Sequence, residues 1–331
     1  MTQTTIDVVG IGNAIVDVIA HADDAFLAKE TLVKGTMTLI DAARAEALYA
    51  MMGPAIESSG GSAGNTMAGL ASLGGTGAYI GKVRDDFLGN VYRHDITAIG
   101  VRFDTPAATS GPGTARCLIL VTPDGQRTMN TYLGACADLG PADIDAEVIA
   151  AAQITYLEGY LFDPPLAQEA FRKAAAIAHA AGRKVALSLS DPFCVGRHRE
   201  AFRDLVDGHV DILFANEAEI CSLYETSDFD VAAAAVRGHV QIAALTRSAA
   251  GSVILADSAD HRVAAAPVVR VVDTTGAGDL FASGFLYGLT RGLPLPICGG
   301  IGSLCAAEII SHVGARPEVE LSHLVVGVPL T

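Results

Sequence analysis

Short apolar runs alternate along this chain with longer stretches whose apolar positions recur at the helical period. Residues 6–12 form an apolar run ending in glycine and predict a buried strand. Residues 14–20 stay apolar but carry one carboxylate, Asp17. Asp41 is placed to cap a helix over 42–52. A turn rich in glycine and serine at 58–64 leads into a helical pattern over 65–73, a strand over 77–81 and a helix over 87–99 that stops at Gly100. Two strand-like runs, 114–122 and 127–133, flank Pro123-Asp124-Gly125-Gln126, and the Asp-Gly turn predicts a hairpin. That hairpin breaks the strand–helix rhythm, so a small separate sheet is expected there. Beyond residue 150 the pattern predicts strands at 154–157, 184–188, 212–215, 242–246 and 252–256, with helices at 167–180, 200–206, 217–224 and 231–238. A further strand over 268–272 is expected to run into a glycine-rich turn and an apolar helix. This alternation predicts an α/β fold whose parallel sheet is covered on both faces.

Composition narrows the function classes. Of 331 residues, 50% are hydrophobic and 18% charged, which is globular rather than disordered, and the length suits two domains or one large unit with an appendage. Twenty-two basic against 37 acidic residues give a net charge of −15, which argues against nucleic acid or an anionic membrane as partner. Anionic ligands stay open, because backbone N–H groups at a helix start bind them without lysine. No stretch reaches the roughly 20 apolar residues of a membrane span, and the first residues show neither a basic segment nor an apolar core of a leader. The six cysteines include no C-x-x-C pair and no His/Cys cluster at zinc spacing. Free buried thiols in a reducing cytoplasm are expected.

Three segments could carry chemistry. In Asp273-Thr274-Thr275-Gly276-Ala277-Gly278-Asp279 a glycine turn opens an apolar helix. Small residues and the helix start make an anion cradle. Asp279 would be repelled by a bound phosphate unless it served as a base; a simple helix cap is the competing explanation. In Gly60-Gly61-Ser62-Ala63-Gly64-Asn65 the glycines permit close approach and Asn65 offers a donor and an acceptor, although a flexible turn before a helix has the same look. Asn13 and Asp17 follow the first strand, and a lone carboxylate in an apolar run is costly to bury. Two sugar hydroxyls would satisfy it, and so would a lysine or a backbone N–H.

Together these segments resemble the PfkB (ribokinase-like) family of carbohydrate and nucleoside kinases. Residues 273–279 match its D-T-x-G-A-G-D signature, Gly60-Gly61 with Asn65 and the run 79–89 match its glycine signature, and Asn216-Glu217-Ala218-Glu219 matches its N-x-x-E. Within the family the chain is most similar to the adenosine kinase branch: residues 10–17 are similar to G-x-G-N-P-L-L-D, with Ala14 for proline, residues 187–193 to L-N-L-S-A-P-F, and residues 156–161 occupy the place of Y-x-x-G-F-F.

The resemblance implies a single ribokinase-like unit over 1–331: a three-layer α/β/α domain with a mostly parallel sheet and a small β-sheet lid from segments near 14–21, 32–40 and 114–134. It implies an ATP-dependent kinase acting on a primary hydroxyl of a nucleoside, adenosine foremost, or of a ribose- or ketose-like sugar. Asp279 would be the base, and Gly276, Ala277 and Gly278 the anion hole. Asp17 would hold ribose hydroxyls with Asn13, Gly60, Gly61 and Asn65, and Tyr160 and Leu161 would rest against the base. Asn216 and Glu219 would organise Mg²⁺ through water, and Thr246 and Gly251 would lie by ATP. Ser248 stands where the family often has glycine. Asp273 and Thr275 would help bind a monovalent cation such as K⁺. A monomer and a homodimer both occur among such relatives. Two other readings are weaker. Gly10-x-Gly12 lacks the third glycine of a dinucleotide fingerprint, since position 15 is Ile15. A silent binding relative would not be expected to keep Asp279 and its turn.

Overall fold

The computed structural model describes residues 5–256 and 259–326; the first four residues, read above for a leader, lie outside them. In chain order the strands are β1 (Ile6–Ile11), β2 (Ile15–His21), β3 (Met37–Leu39), β4 (Ala55–Ser59), β5 (Gly77–Ile80), β6 (Ala115–Val121), β7 (Arg127–Tyr132), β8 (Ala152–Glu158), β9 (Lys184–Ser188), β10 (Ile212–Asn216), β11 (Ile242–Thr246), β12 (Ser252–Ala256) and β13 (Asp260–Val263). The helices are α1 (Asp24–Lys29), α2 (Ala42–Met51), α3 (Ser62–Ser72), α4 (Phe87–Ala98), α5 (Ala146–Ala151), α6 (Pro165–Ala180), α7 (Pro192–Arg197), α8 (Arg199–His209), α9 (Glu217–Tyr224), α10 (Phe229–Ala235), α11 (Ala277–Thr290) and α12 (Leu295–Ile309).

Eight strands form one sheet in the order β13-β12-β11-β10-β9-β8-β1-β5. It is parallel except for β12 and β13. Period-2 alternation in β1 sends Val9 and Ile11 into one core layer with Leu157 and Phe171, and Val8 into the opposite layer with Met67 and Phe285. Apolar residues on both faces are what a sheet between two helix layers requires. The chain visits β5 on one side of β1 and returns to β8 on the other. That reversal opens a crevice beyond the carboxyl ends of β1 and β8, the usual ligand position in such sheets. A second sheet, β3-β7-β6-β2-β4, holds the predicted hairpin.

Two expectations need correction. Residues 268–272 form no strand: the chain bends at Val269, Val272 N donates to Ile310 O at 2.8 Å outside any sheet, and Val269, Val271 and Val272 are exposed. Their β-branched side chains favour extended backbone, but the sheet already ends at β13. The expected turn at 58–64 is shorter, because β4 runs to Ser59 and α3 begins at Ser62 rather than at 65. Gly61 precedes that helix without a side-chain cap, so its start carries no local signal.

Candidate active site

The site collects side chains from several distant parts of the chain. Asp279 lies in the first turn of α11, behind Gly276, whose φ of +79° favours glycine and where a Cβ would lie only 3.1 Å from Ala315. Ala277 and Gly278 complete the helix start, and a Cβ at Gly278 would meet open space. The helix starts without a side-chain cap, and Ala277 N donates to Thr274 O at 3.2 Å. Asp279 Oδ1 accepts from Ser62 Oγ at 2.6 Å and Oδ2 from Asn65 Nδ2 at 3.0 Å. Burial pushes its carboxyl upward, and Ser62, Asn65 and the Arg316 charge pull it back.

Asp17 projects from β2 and accepts no hydrogen bond from any described residue. Burial pushes it up to about 6 against the opposing charges of Arg127 and Arg316. A Cβ on Gly60 would lie 2.4 Å from Asp17 Oδ2, so this glycine makes room for the carboxylate. Gly61, at φ +82°, lets the chain pass Asn13 O. Asn13 is buried and donates from Nδ2 to Glu158 Oε1 at 2.7 Å. Asn65 is buried too, and its Oδ1 has no partner.

Asn216 ends β10 and caps α9: its side chain accepts from Glu219 N, while its own N and Nδ2 donate to Glu219 at 2.9 and 2.6 Å. Burial, then the charges of Asp191 and Asp279, push Glu219 up to about 7. Thr246 pairs in register with Asn216 on β11, and Gly251 closes the β11–β12 turn. Ser248 in that turn has φ +50°, a region that favours glycine.

Tyr160 is 39% exposed beside the crevice, its hydroxyl pushed up by burial and by Asp191, Asp279 and Glu219. Leu161, expected to face the site with it, is wholly buried in the core with Phe162 and Phe171. In the one-turn helix that follows Gly159, adjacent side chains diverge, so only one of the pair reaches the crevice. Asp273 accepts from Arg127 Nη1 at 2.6 Å, from Thr275 N and Oγ1 at 2.9 and 2.7 Å and from Gly314 N at 3.1 Å. Burial raises its carboxyl, but these partners hold it below the usual range. Four protein donors thus surround the Asp273 carboxylate.

Sequence reasoning missed Ser62, Glu158, Arg127 and Arg316. Glu158 carried a signal, a carboxylate closing the apolar run 154–157, of the same kind that marked Asp17. Arg316 carried none: it donates to the carbonyls of Ser59 and Gly64 from a loop far along the chain.

The sequence profile of the pfkB family carbohydrate kinases matches residues 52–321. A solved structure of a probable sugar kinase from Rhizobium etli is 52% identical, covers 99% of this chain and 100% of its own, and superposes with a TM-score of 0.92. The adenosine kinase from Sinorhizobium meliloti is 53% identical over 98% of this chain and 99% of its own, with a TM-score of 0.91. Adenosine kinase of Saccharomyces cerevisiae is 26% identical over 96% of this chain and 99% of its length. With the Asp279 turn, the paired glycines and the Asn216–Glu219 cap gathered in one crevice, the chain belongs to the pfkB family of carbohydrate kinases and is an ATP-dependent phosphotransferase with an alcohol acceptor.

Proposed function

We propose that the acceptor is a nucleoside, adenosine foremost, phosphorylated on its primary hydroxyl. The observation that carries this is an apolar row beside Asp17. Cross-strand register aligns Ile56, Ile19, Ile119, Met129 and Met37 across all five strands of the small sheet. Alternation puts them on the face of Asp17, one pleat along. Asp17 offers two acceptors for vicinal ribose hydroxyls, and the unpartnered Asn65 Oδ1 offers another. The apolar row then suits a flat base, which a free sugar lacks, and Tyr160 supplies an aromatic edge. The similar Sinorhizobium meliloti enzyme supports the same reading. The small sheet serves as the lid of a single unit.

Asp279, whose carboxylate accepts from Ser62 and Asn65, takes the proton of the acceptor hydroxyl as its oxygen bonds to the γ-phosphorus of ATP and the bond from that phosphorus to the bridging oxygen breaks, releasing ADP. The N–H groups of Gly276, Ala277 and Gly278 stabilise charge on the transferred phosphoryl group. Thr246 and Gly251 flank the nucleotide. Glu219, buried among Asp191 and Asp279, fits a nearby divalent cation, and Glu219 with Asn216 would hold Mg²⁺ through water. Bound there, Mg²⁺ supplies neutralising charge at the phosphates.

The test is ATP consumption with adenosine, ribose, fructose and 2-keto-3-deoxygluconate side by side. Adenosine should exceed each sugar in kcat/KM by ~tenfold or more. Asp279→Asn should cut kcat by ~10²- to 10⁴-fold and leave the ATP KM unchanged. Inert adenosine with one active sugar would reassign the acceptor, and normal turnover in the Asn variant would make Asp279 a cap.

A further inference from the structure

Glu158 ends β8 and is 1% exposed. None of the roles assigned above uses it. Its Oε1 accepts from Asn13 Nδ2 at 2.7 Å and from Asn13 N at 3.3 Å. Its Oε2 accepts from Ala63 N at 2.8 Å. These donors are uncharged, and no lysine or arginine pairs with Glu158 among the described residues. A buried carboxylate without a counter-charge is expensive, so it persists where the groups it holds need holding.

The groups it holds are informative. Asn13 follows β1 on the acceptor side of the crevice. Ala63 belongs to the first turn of α3, whose preceding Gly61 offers no side-chain cap. Glu158 therefore caps α3 from another strand. That same first turn carries Ser62 and Asn65, the two donors to Asp279. Gly12 is bare because a Cβ there would lie 2.3 Å from Glu158 Oε2 and 2.7 Å from Ala63 Cβ. Two chain segments, 12–13 and the start of α3, thus close on one carboxylate.

We propose that Glu158 is a positioning residue that locks Asn13 and the start of α3 to each other, and so fixes the acceptor hydroxyl relative to Asp279. This rests on the kinase reading for its functional meaning, while the lock itself can be measured without turnover. Asn13 and Ala63 are joined through Glu158, so a disturbance at one must reach the other.

Glu158→Gln keeps the shape but replaces one accepting oxygen by a donor, so it cannot accept from both Asn13 N and Ala63 N. The acceptor KM should rise roughly tenfold or more, with the ATP KM held within about twofold. Amide exchange should accelerate at Asn13 and over 62–65 while the distant strands β10 to β12 keep their protection. A lower melting temperature with unchanged acceptor KM and unchanged exchange at these sites would overturn the proposal. Asn13→Ala gives a second route should the Gln variant fail to fold: exchange at Ala63 should quicken although Asn13 does not donate to it, and an unaffected Ala63 amide would overturn the lock. In the double variant the two acceptor KM losses should fall short of their product; full multiplication would also overturn it. A wild-type chain that phosphorylates no acceptor defeats the kinase reading, and amide exchange then decides the lock alone.

Discussion

Asp17 shows how a single side chain reports its ligand. It sits between Ile15 and Ile19 on β2, with no donor among the described residues. Arg127 and Arg316 act on it only through space. The hydrogens it lacks must come from what binds. Asp17→Ala should raise the acceptor KM by roughly 10- to 150-fold, the worth of a charged hydrogen bond, and leave the ATP KM alone. Steady-state kinetics with each substrate varied in turn checks this, and equal losses on both would make Asp17 structural. Its folded value of about 6 adds a sign: the carboxylate is ionised above that pH, so the wild-type acceptor KM should climb as pH falls through about 6.

At the scale of elements, the small sheet is tied to the anion turn by one ion pair. Arg127 on β7 meets Asp273 at the head of the glycine turn at 2.6 Å, with side chains only 7% and 8% exposed. Thr275 and Gly314 complete the shell of Asp273. The pair therefore holds the hairpin over the turn that would receive the phosphoryl group. Arg127→Ala leaves a buried carboxylate without its charge partner and should cost about 3–5 kcal/mol of stability. Denaturant unfolding measures it, and adding Asp273→Asn should recover part of the loss. No recovery would mean that Arg127 stabilises by packing alone.

Across the whole molecule, acidic groups converge on the crevice. Glu158 and Glu219 are each pushed up to about 7 by burial, and Asp17 to about 6. A carboxyl with a raised folded value contributes stability that is fully present below its unfolded value and is lost as pH rises through the folded one. For Glu158 and Glu219 that window runs from about 4.5 to about 7. Each pKa unit separating folded from unfolded chains is worth about 1.4 kcal/mol. The ligand-free protein should therefore melt at progressively lower temperature across this window as pH increases. Glu219→Gln should flatten the slope, measured by calorimetry in constant ionic strength. An identical slope in that variant would place the pH dependence elsewhere, for instance in the net charge of −15.

The chain order of apolar runs, the Asp-Gly hairpin, the glycine turn before Asp279 and the odd carboxylate at Asp17 were legible in the sequence because each rests on neighbours within a few residues. Periodicity and turn chemistry are local, so they survive without tertiary structure. What the tertiary structure decided are contacts between distant segments: Asn13 with Glu158 across 145 residues, Arg127 with Asp273 across 146, Ser62 with Asp279 across 217 and Arg316 with Ser59 across 257. Packing also denied 268–272 a strand partner, buried Leu161 while leaving Tyr160 at the crevice, and started α3 early under a cap borrowed from β8. Local pattern carries no term for which strand end will stand beside which helix start. Here the reversal of strand order at β1 sets that, and it brings Asn13 and the start of α3 together around Glu158.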